Sequence, residues 1–417
     1  VPRPVDKTPI TLLYSDENTF QYNYGEALYV ALPDLKVNIA AKSAIFRDGN
    51  PDEAYRRLLS ETKPDVLSIR LDEMGSLASE GKLVDLEPLL KQAAFDINAF
   101  HPKLLQQIRD AGDGKLYALP TTFLSDVLYY NKQLFDRYGI PYPTDRMTWG
   151  EVLVLAERFP AEEAEEERIY GLAFGEPDNN NPFRIVEQIG LSNGLHVVDS
   201  TGSKLTLDTD SWRPIFEAVA RLERSGASDL NSMFSDSRGY NLFTLGRAAM
   251  RVSTAFEIQM MGWKMKDNPD SKFDWGIAAS PVMDEDRNKG GAMRPEEMLA
   301  ISAETTHLEH ALKLLQYMAG ESAAKLRAAR DVGVLTARNT NTQTSEGVDL
   351  SAFTALEPYS YDSLYGPDGF SFQLAELAAK EFGTVRSSKA EVPEMLRKLQ
   401  AEGQALLDQL NKGQGSD

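Results

Sequence analysis

The sequence predicts an α/β protein of two lobes, and three observations carry that prediction. Strand-like and helix-like runs alternate from the start, through "ITLLYSDE", "TFQYNYGEALYVAL", "LKVNIAA", "NPDEAYRRLLSE" and "PDVLSIRLDE"; this period favours right-handed crossovers and a parallel sheet. At residues 120–126 the pattern breaks: one strand closes on Leu119 and Pro120, and another opens at Val127. The chain there leaves one sheet and enters a second. Finally, 417 residues exceed one ordinary core and fit two or three domains.

Each element has a local reason. In the second run Tyr24, Leu28 and Ala31 share one helical face. The helix from Pro51 has Asn50 as its cap, proline at its first position and Glu53 where a capping-box acid sits. Val66 to Leu71 read as a buried strand running into Asp72 and Glu73. Past the break, "VLYYN" is a strand and Lys132 to Tyr138 a short helix, ended by Gly139 and kept from continuing by Pro141 and Pro143. Thr148 and Glu151 form a capping box for the next helix. "IYGLAF", "KLTLD" and "AAMRVST" read as strands around the helix "WRPIFEAVARLERSG". "FDWGIAASPV" and "EMLAIS" follow as strands, then a helix with Thr306 and Glu309 as its box and Gly320 as its stop. The tail from Phe370 to Leu410 is largely helical.

Composition narrows the function. A hydrophobic fraction of 42%, with 4 Trp, 16 Tyr and 18 Phe, indicates a folded globular chain. Lys and Arg number 44 against 63 Asp and Glu, and the net charge of −19 repels nucleic acid and anionic lipid. No window of ~18 consecutive apolar residues suggests a membrane span. With no cysteine, disulfides, thiolate metal sites and cysteine nucleophiles are absent together. The opening "VPRPVDKTPITLLYSDEN" lacks the basic start and apolar run of a secretory signal.

Catalytic and metal motifs fail on context. "GLSNG", Gly190 to Gly194, has the glycine and serine spacing of a hydrolase elbow, but helix precedes and strand follows, the reverse of what that elbow needs. "HLEH" puts His307 and His310 one turn apart without the rest of a zinc motif. "DEDRNKG" alternates Asp284, Asp286 and Asn288 as a calcium loop does, yet its glycine comes one place late and Pro295 holds the twelfth position. The acid run 162–167 reads as a solvated face. "DAGDGK" has too few residues between its glycines for a phosphate loop. Carboxylates are too plentiful for spacing alone to select a glycosidase pair.

Open α/β sheets bind ligands where their strands end in diverging loops. By that rule Asp16, Glu17 and Asp72 are candidate ligand contacts, and each reads equally as a loop acid or helix cap.

"DGKLYALP" followed by "VLYYNKQLFDRYGIPYPTDRMTWGEVLVLAERF" resembles the signature of extracellular solute-binding proteins of ABC importers, family 1 or carbohydrate-type. "PDVLSIRLDEMGSLASEGKLVDLEPLL", "LFTLGRAAM", "DWGIAASPV" and "MLAISAETTHLEHALKLLQYMAG" stand in the family's order. The resemblance implies a two-lobed periplasmic-binding-protein-like fold with a hinge and an interlobe cleft. Lobe 1 is then 1–122 with 279–320, and lobe 2 is 127–274 with 325–417, with crossings near 120–126, 275–279 and 320–325. It also implies capture without catalysis: no catalytic residue, cofactor or metal, a monomer, an oligosaccharide solute, neutral or acidic, and ABC permease subunits as partners. By family habit the protein is extracellular, on the outer face of a Gram-positive membrane, held by a lipid anchor that is not among these residues.

Sugar sites in such proteins combine aromatic faces with polar groups that reach hydroxyls. By the resemblance, Asp178 and Asn179, Phe256 and Glu257, Trp263, Arg294 and Tyr361 join Asp16, Glu17 and Asp72 as candidate contacts, with Tyr359 and Tyr365 as further rings. Two departures bear on the solute. Phe256 stands near where many relatives carry Trp, and "AMRPEE" separates Gly290 and Gly291 from the returning strand. Arg294 there suits an acidic sugar or a surface ion pair. A glycan-sensing receptor subunit and a secreted glycan-active enzyme are the alternative readings.

Overall fold

The computed structural model describes residues 8–43, 51–160, 168–174, 181–229, 240–291, 293–339, 343–344, 347–358, 369–387 and 391–414. In chain order the first elements are β1 (Thr8–Tyr14), α1 (Glu17–Asn23), α2 (Gly25–Ala31), β2 (Leu35–Ala41), α3 (Pro51–Thr62), β3 (Val66–Ile69), α4 (Leu71–Ser79), α5 (Leu86–Gln92), α6 (Pro102–Ala111) and β4 (Ala118–Leu124). Next come β5 (Val127–Asn131), α7 (Lys132–Tyr138), α8 (Trp149–Ala156), β6 (Tyr170–Ala173), α9 (Pro182–Ser192), α10 (Arg213–Ser225), β7 (Ala248–Ser253), α11 (Phe256–Asp267) and β8 (Trp275–Ala279). The last are β9 (Arg294–Ile301), α12 (Leu308–Met318), α13 (Glu321–Arg330), β10 (Leu335–Thr336), α14 (Phe370–Arg386) and α15 (Val392–Gln414).

Two units divide the chain: Val1–Leu124 with Met293–Leu350, and Ser125–Ala292 with Ser351–Asp417. The first holds a six-stranded sheet in the order β10-β4-β9-β3-β1-β2. β1 runs parallel to β2 and β3, while β9 lies antiparallel between β3 and β4. Adjacent residues such as Leu12 and Leu13, or Leu299 and Ala300, are all fully buried, so both faces of this sheet are covered. The parallel strands finish together at Tyr14, Ala41 and Ile69, and α1 and α4 begin within three residues of β1 and β3.

The second unit holds a four-stranded sheet, β6-β7-β5-β8, in which only β6 and β7 run parallel. Its core gathers Trp212, Phe216, Phe183 and Phe382, with the Phe216 and Phe382 rings stacked at 5.6 Å. A Cβ on Gly190 would lie 2.2 Å from the Trp212 ring, so α9 needs glycine where that indole crosses it. Asn131 caps α7 by accepting from the Leu134 N–H, and Gly139 closes it at φ 64°. The capping box of Thr148 and Glu151 is complete in both directions.

Several elements differ from their expected form. The run 19–32 is two short helices broken at Tyr24, and Ala31 is exposed. β3 stops at Ile69, so Asp72 lies in the first turn of α4. Among the described residues "KLTLD" forms no strand and pairs only through the isolated bridge Val198–Leu205. No side chain of Thr306 caps α12; its cap is His307, and Gly320 opens α13. β4 continues past Pro120 to Leu124, which leaves only Ser125 and Asp126 before β5. The units are divided at 292/293 and 350/351. In this division β8 is hydrogen-bonded to β5 in the second unit, and β10 to β4 in the first.

Candidate functional site

The shared ends of β1, β2 and β3 bring together groups that lie 31 residues apart in sequence, Lys42 and Glu73. Lys42, the first residue after β2, donates to the Ser68 carbonyl at 2.9 Å and to the Glu73 carboxylate at 2.9 Å. Glu73 also accepts from the Arg70 backbone N–H at 2.8 Å, which ties the start of α4 to the end of β2. Arg70 then grips Asp72 through two parallel bonds, Nε to Oδ1 at 3.1 Å and a terminal nitrogen to Oδ2 at 2.9 Å. Their side chains are 65% and 55% exposed, unlike Lys42 and Glu73 at 19% and 13%. Burial pushes the Asp72 carboxyl up, but Arg70 outweighs it and holds the group below the ordinary carboxylate range.

These residues rim a groove of about 990 Å³ that runs along β3 between α3 and α4. Leu59, Leu67 and Leu77 line it, and Tyr55 reaches into it beneath Lys42, whose Nζ lies 5.5 Å from the ring centroid. The Tyr55 hydroxyl is buried without a hydrogen-bond partner, and burial, with the Glu73 charge, pushes its phenol up. Donors and acceptors therefore alternate along one rim above an apolar wall. Such a surface can hold a polyol, with the exposed guanidinium donating to hydroxyl oxygens and the carboxylate accepting from the neighbouring O–H.

Asp16 sits on this edge but its side chain caps α1, accepting from the Thr19 N–H at 2.9 Å and the Thr19 hydroxyl at 2.8 Å. Those bonds hold its carboxyl below the usual range. Glu17 is exposed in the first turn of α1 and accepts from Gln21. Asp72 belongs to the rim. Arg294 opens β9 opposite Leu124 and is partly buried.

In the second unit, α11 starts three residues after β7, and Phe256 and Trp263 stand 50% and 45% exposed with rings 5.8 Å apart, edge to face. Glu257, the next residue, points the other way. It is 2% exposed and bound by Arg251 at 3.0 Å, Thr244 at 2.7 Å and Asn241 at 3.1 Å, so its acceptors serve the fold. Asp178, Asn179 and Tyr361, with Tyr359 and Tyr365, lie outside the described residues.

Lys42, Tyr55, Arg70 and Glu73 were absent from the sequence-based set. The strand-end rule that selected Asp16 applies equally to Lys42, but reading β3 two residues too long hid Arg70 inside a strand. Two motifs are consumed by structure. Ser192 of the "GLSNG" run is buried at the end of α9, bonded to the Gln188 carbonyl and the Trp149 indole. In "DEDRNKG", Arg287 pairs with Glu151 at 2.8 and 2.9 Å and Asn288 accepts from Arg146, so arginine holds the oxygen a cation would use.

Residues 17–325 match the family model described as bacterial extracellular solute-binding protein. The chain belongs to that family, the one its sequence resembles. It is 24% identical over 249 residues to the sn-glycerol-3-phosphate-binding periplasmic protein of Rhizobium meliloti, a match over 58% of this chain and 54% of that protein. The chain thus spans about half the length of the curated relatives it matches. Among solved structures it superposes on a sugar transporter of Rhizobium etli in an open conformation with a TM-score of 0.69, at 20% identity over 95% of this chain and 99% of the other. An ABC substrate-binding protein of Listeria monocytogenes in complex with cycloalternan gives 0.63, at 17% identity over 99% and 100%. At these identities the structures establish a shared two-lobed α/β fold.

Proposed function

We propose that this protein captures an oligosaccharide outside the cell and hands it to the permease of an ABC importer, acting as a monomer whose two units close on the solute by a hinge movement. The observation that carries the reading is the exposed Arg70–Asp72 fork on the rim shared by β1, β2 and β3, strand ends of the kind at which open α/β sheets bind ligands. The fork is preorganised, because Glu73 and Lys42 lock the backbone beneath it. Phe256 and Trp263 supply ring faces of the kind that pack against sugar C–H surfaces. Arg294 remains a candidate contact for an acidic sugar. A phosphorylated polyol is the second reading, favoured by the glycerol-3-phosphate-binding relative and by the cations Arg56 and Lys63 along the groove.

Thermal unfolding against neutral oligosaccharides, acidic oligosaccharides and sn-glycerol 3-phosphate tests this. A solute at ~100 times its Kd adds about 2.7 kcal/mol to native stability. Arg70→Ala and Asp72→Ala are expected to leave the unliganded protein within about 0.5 kcal/mol of the parent and to weaken binding about tenfold or more. A rise with sn-glycerol 3-phosphate alone selects the second reading. No rise with any of the three classes, or a rise that both variants retain in full, overturns the assignment of this site.

A further inference from the structure

The two strands that carry the chain out of and back into the first unit are not paired regularly. β4 and β9 match Pro120 with Met298, then Thr122 with Glu297, then Phe123 with Pro295. Thr121 and Glu296 are each left without an opposite residue, so each strand carries one bulge, on either side of the Thr122–Glu297 pair, and Thr121 lies three residues before the chain leaves the unit at Leu124. A bulge bends its strand, raises the local twist and re-aims a side chain. Here the re-aimed side chain is Thr121, whose hydroxyl donates to the Glu297 carboxylate at 2.5 Å.

Three further donors converge on the same carboxylate. Tyr14, the last residue of β1, reaches it at 2.6 Å, Tyr24 at the break between α1 and α2 at 2.9 Å, and Arg327 of α13 at 2.9 Å. Asn23 in turn donates to the Tyr14 hydroxyl at 2.8 Å. Tyr14 and Tyr24 are 1% exposed, Thr121 6% and Arg327 9%, while the Glu297 side chain keeps 16%. A largely buried ion pair is weak evidence of stabilisation, because an apolar cluster of equal volume does as well or better. What such a cluster lacks is direction. Four donors, on β1, on β4, on α13 and at the break between α1 and α2, define one position for the Glu297 carboxylate, and with it the pitch of β9 against β4.

We infer that Glu297 is a positioning residue for the connection between the units: by gripping Thr121 at the bulge it sets the angle at which β4 and β9 run into the crossings, and so the balance among the arrangements that the two units sample. The inference rests on the hinge movement proposed above and not on the identity of the solute. Its test therefore uses unliganded protein, and a wrong solute assignment leaves the outcome readable.

The chain has no cysteine, so Lys91→Cys in the first unit and Lys266→Cys in the second, both at exposed positions, give unique sites for spin labels. Distances between the labels are measured in the labelled parent, in Glu297→Gln and in Thr121→Val, which keeps the β-branched shape and removes the grip. Leu104→Ala, a fully buried site in the same unit, serves as a control for simple loss of stability. Both network variants are expected to change the ratio of the distance populations about threefold or more, and Leu104→Ala to lower Tm without moving them. If Glu297→Gln does not fold, Thr121→Val alone decides. Distributions that match the parent, at whatever Tm, reduce the cluster to an ordinary buried network and overturn the inference.

Discussion

Glu187 and Glu257, both on helices of the second unit and both nearly buried, show how a partner decides the fate of a carboxylate. Glu257 has three committed partners, whereas Glu187 has chiefly Arg184, at 3.1 Å and itself 41% exposed. Burial therefore pushes the Glu187 carboxyl from 4.5 up to about 7, with Arg184 offsetting only part of the shift. Because the native value lies above the unfolded one, the native state binds this proton more tightly. Below pH 4.5 both states hold it and nothing is lost. As pH rises through about 7 the native state must bury a charge, and stability falls across that window by up to about 3 kcal/mol. Glu187→Gln is accordingly expected to match the parent in urea unfolding at pH 4.5 and to exceed it at pH 8; equal stability at both values refutes the assignment. Sequence could not rank these two acids. Nor could it separate Phe256 from Glu257, adjacent residues that a helix sends to opposite sides, one to solvent and one to Arg251. What it did supply for the candidate site was the rule of strand ends, which reached Asp72 but missed its partner Arg70.

Capping signals in the sequence succeed where nothing competes for the capping side chain. Among the described residues the Thr148 hydroxyl has no other hydrogen bond, and it accepts from the Glu151 N–H while Glu151 accepts from the Thr148 N–H. The equally good match at Thr306 and Glu309 fails because the preceding residue is drawn into tertiary structure: Thr305 donates to Asp65 at 2.5 Å and accepts from the His307 N–H, which starts α12 one residue late. Thr148→Ala is thus expected to cost about 1 kcal/mol, and Thr306→Ala no more than about 0.5 kcal/mol. Urea midpoints of the two variants check this, and equal losses would sink the distinction. Pro120 misled for a related reason. Proline interrupts a ladder and ordinarily ends a central strand, but it is accommodated beside a bulge, and Thr121 provides one. The strand therefore runs four residues further than its composition suggests, and the connection to β5 shrinks to two residues.

At the scale of the whole chain, the strand–helix period pointed to two sheets, but not to which sheet each later strand joins. "DWGIAAS" and "EMLAIS" are alike in composition, yet the first pairs with β5 and the second with β3 and β4. That choice depends on partners more than a hundred residues away, beyond the reach of local periodicity. Net charge, by contrast, belongs to the molecule entire and needs no partner to be read. An excess of 19 negative charges repels itself in the folded state more than in the expanded chain. Most of the described ion pairs run the other way, since salt weakens them; but pairs such as Lys313–Glu309 and Lys325–Glu321 are exposed, and water screens them so well that each contributes little. Repulsion summed over the surface acts over a Debye length of ~30 Å at 0.01 M salt, on the scale of a unit, and over only ~8 Å at 0.15 M. Screening should therefore remove more repulsion than attraction. The urea midpoint of the unliganded protein at pH 7 is expected to rise with sodium chloride between those two concentrations, and a steady fall would mean that the ion pairs, not the net charge, govern its electrostatic stability.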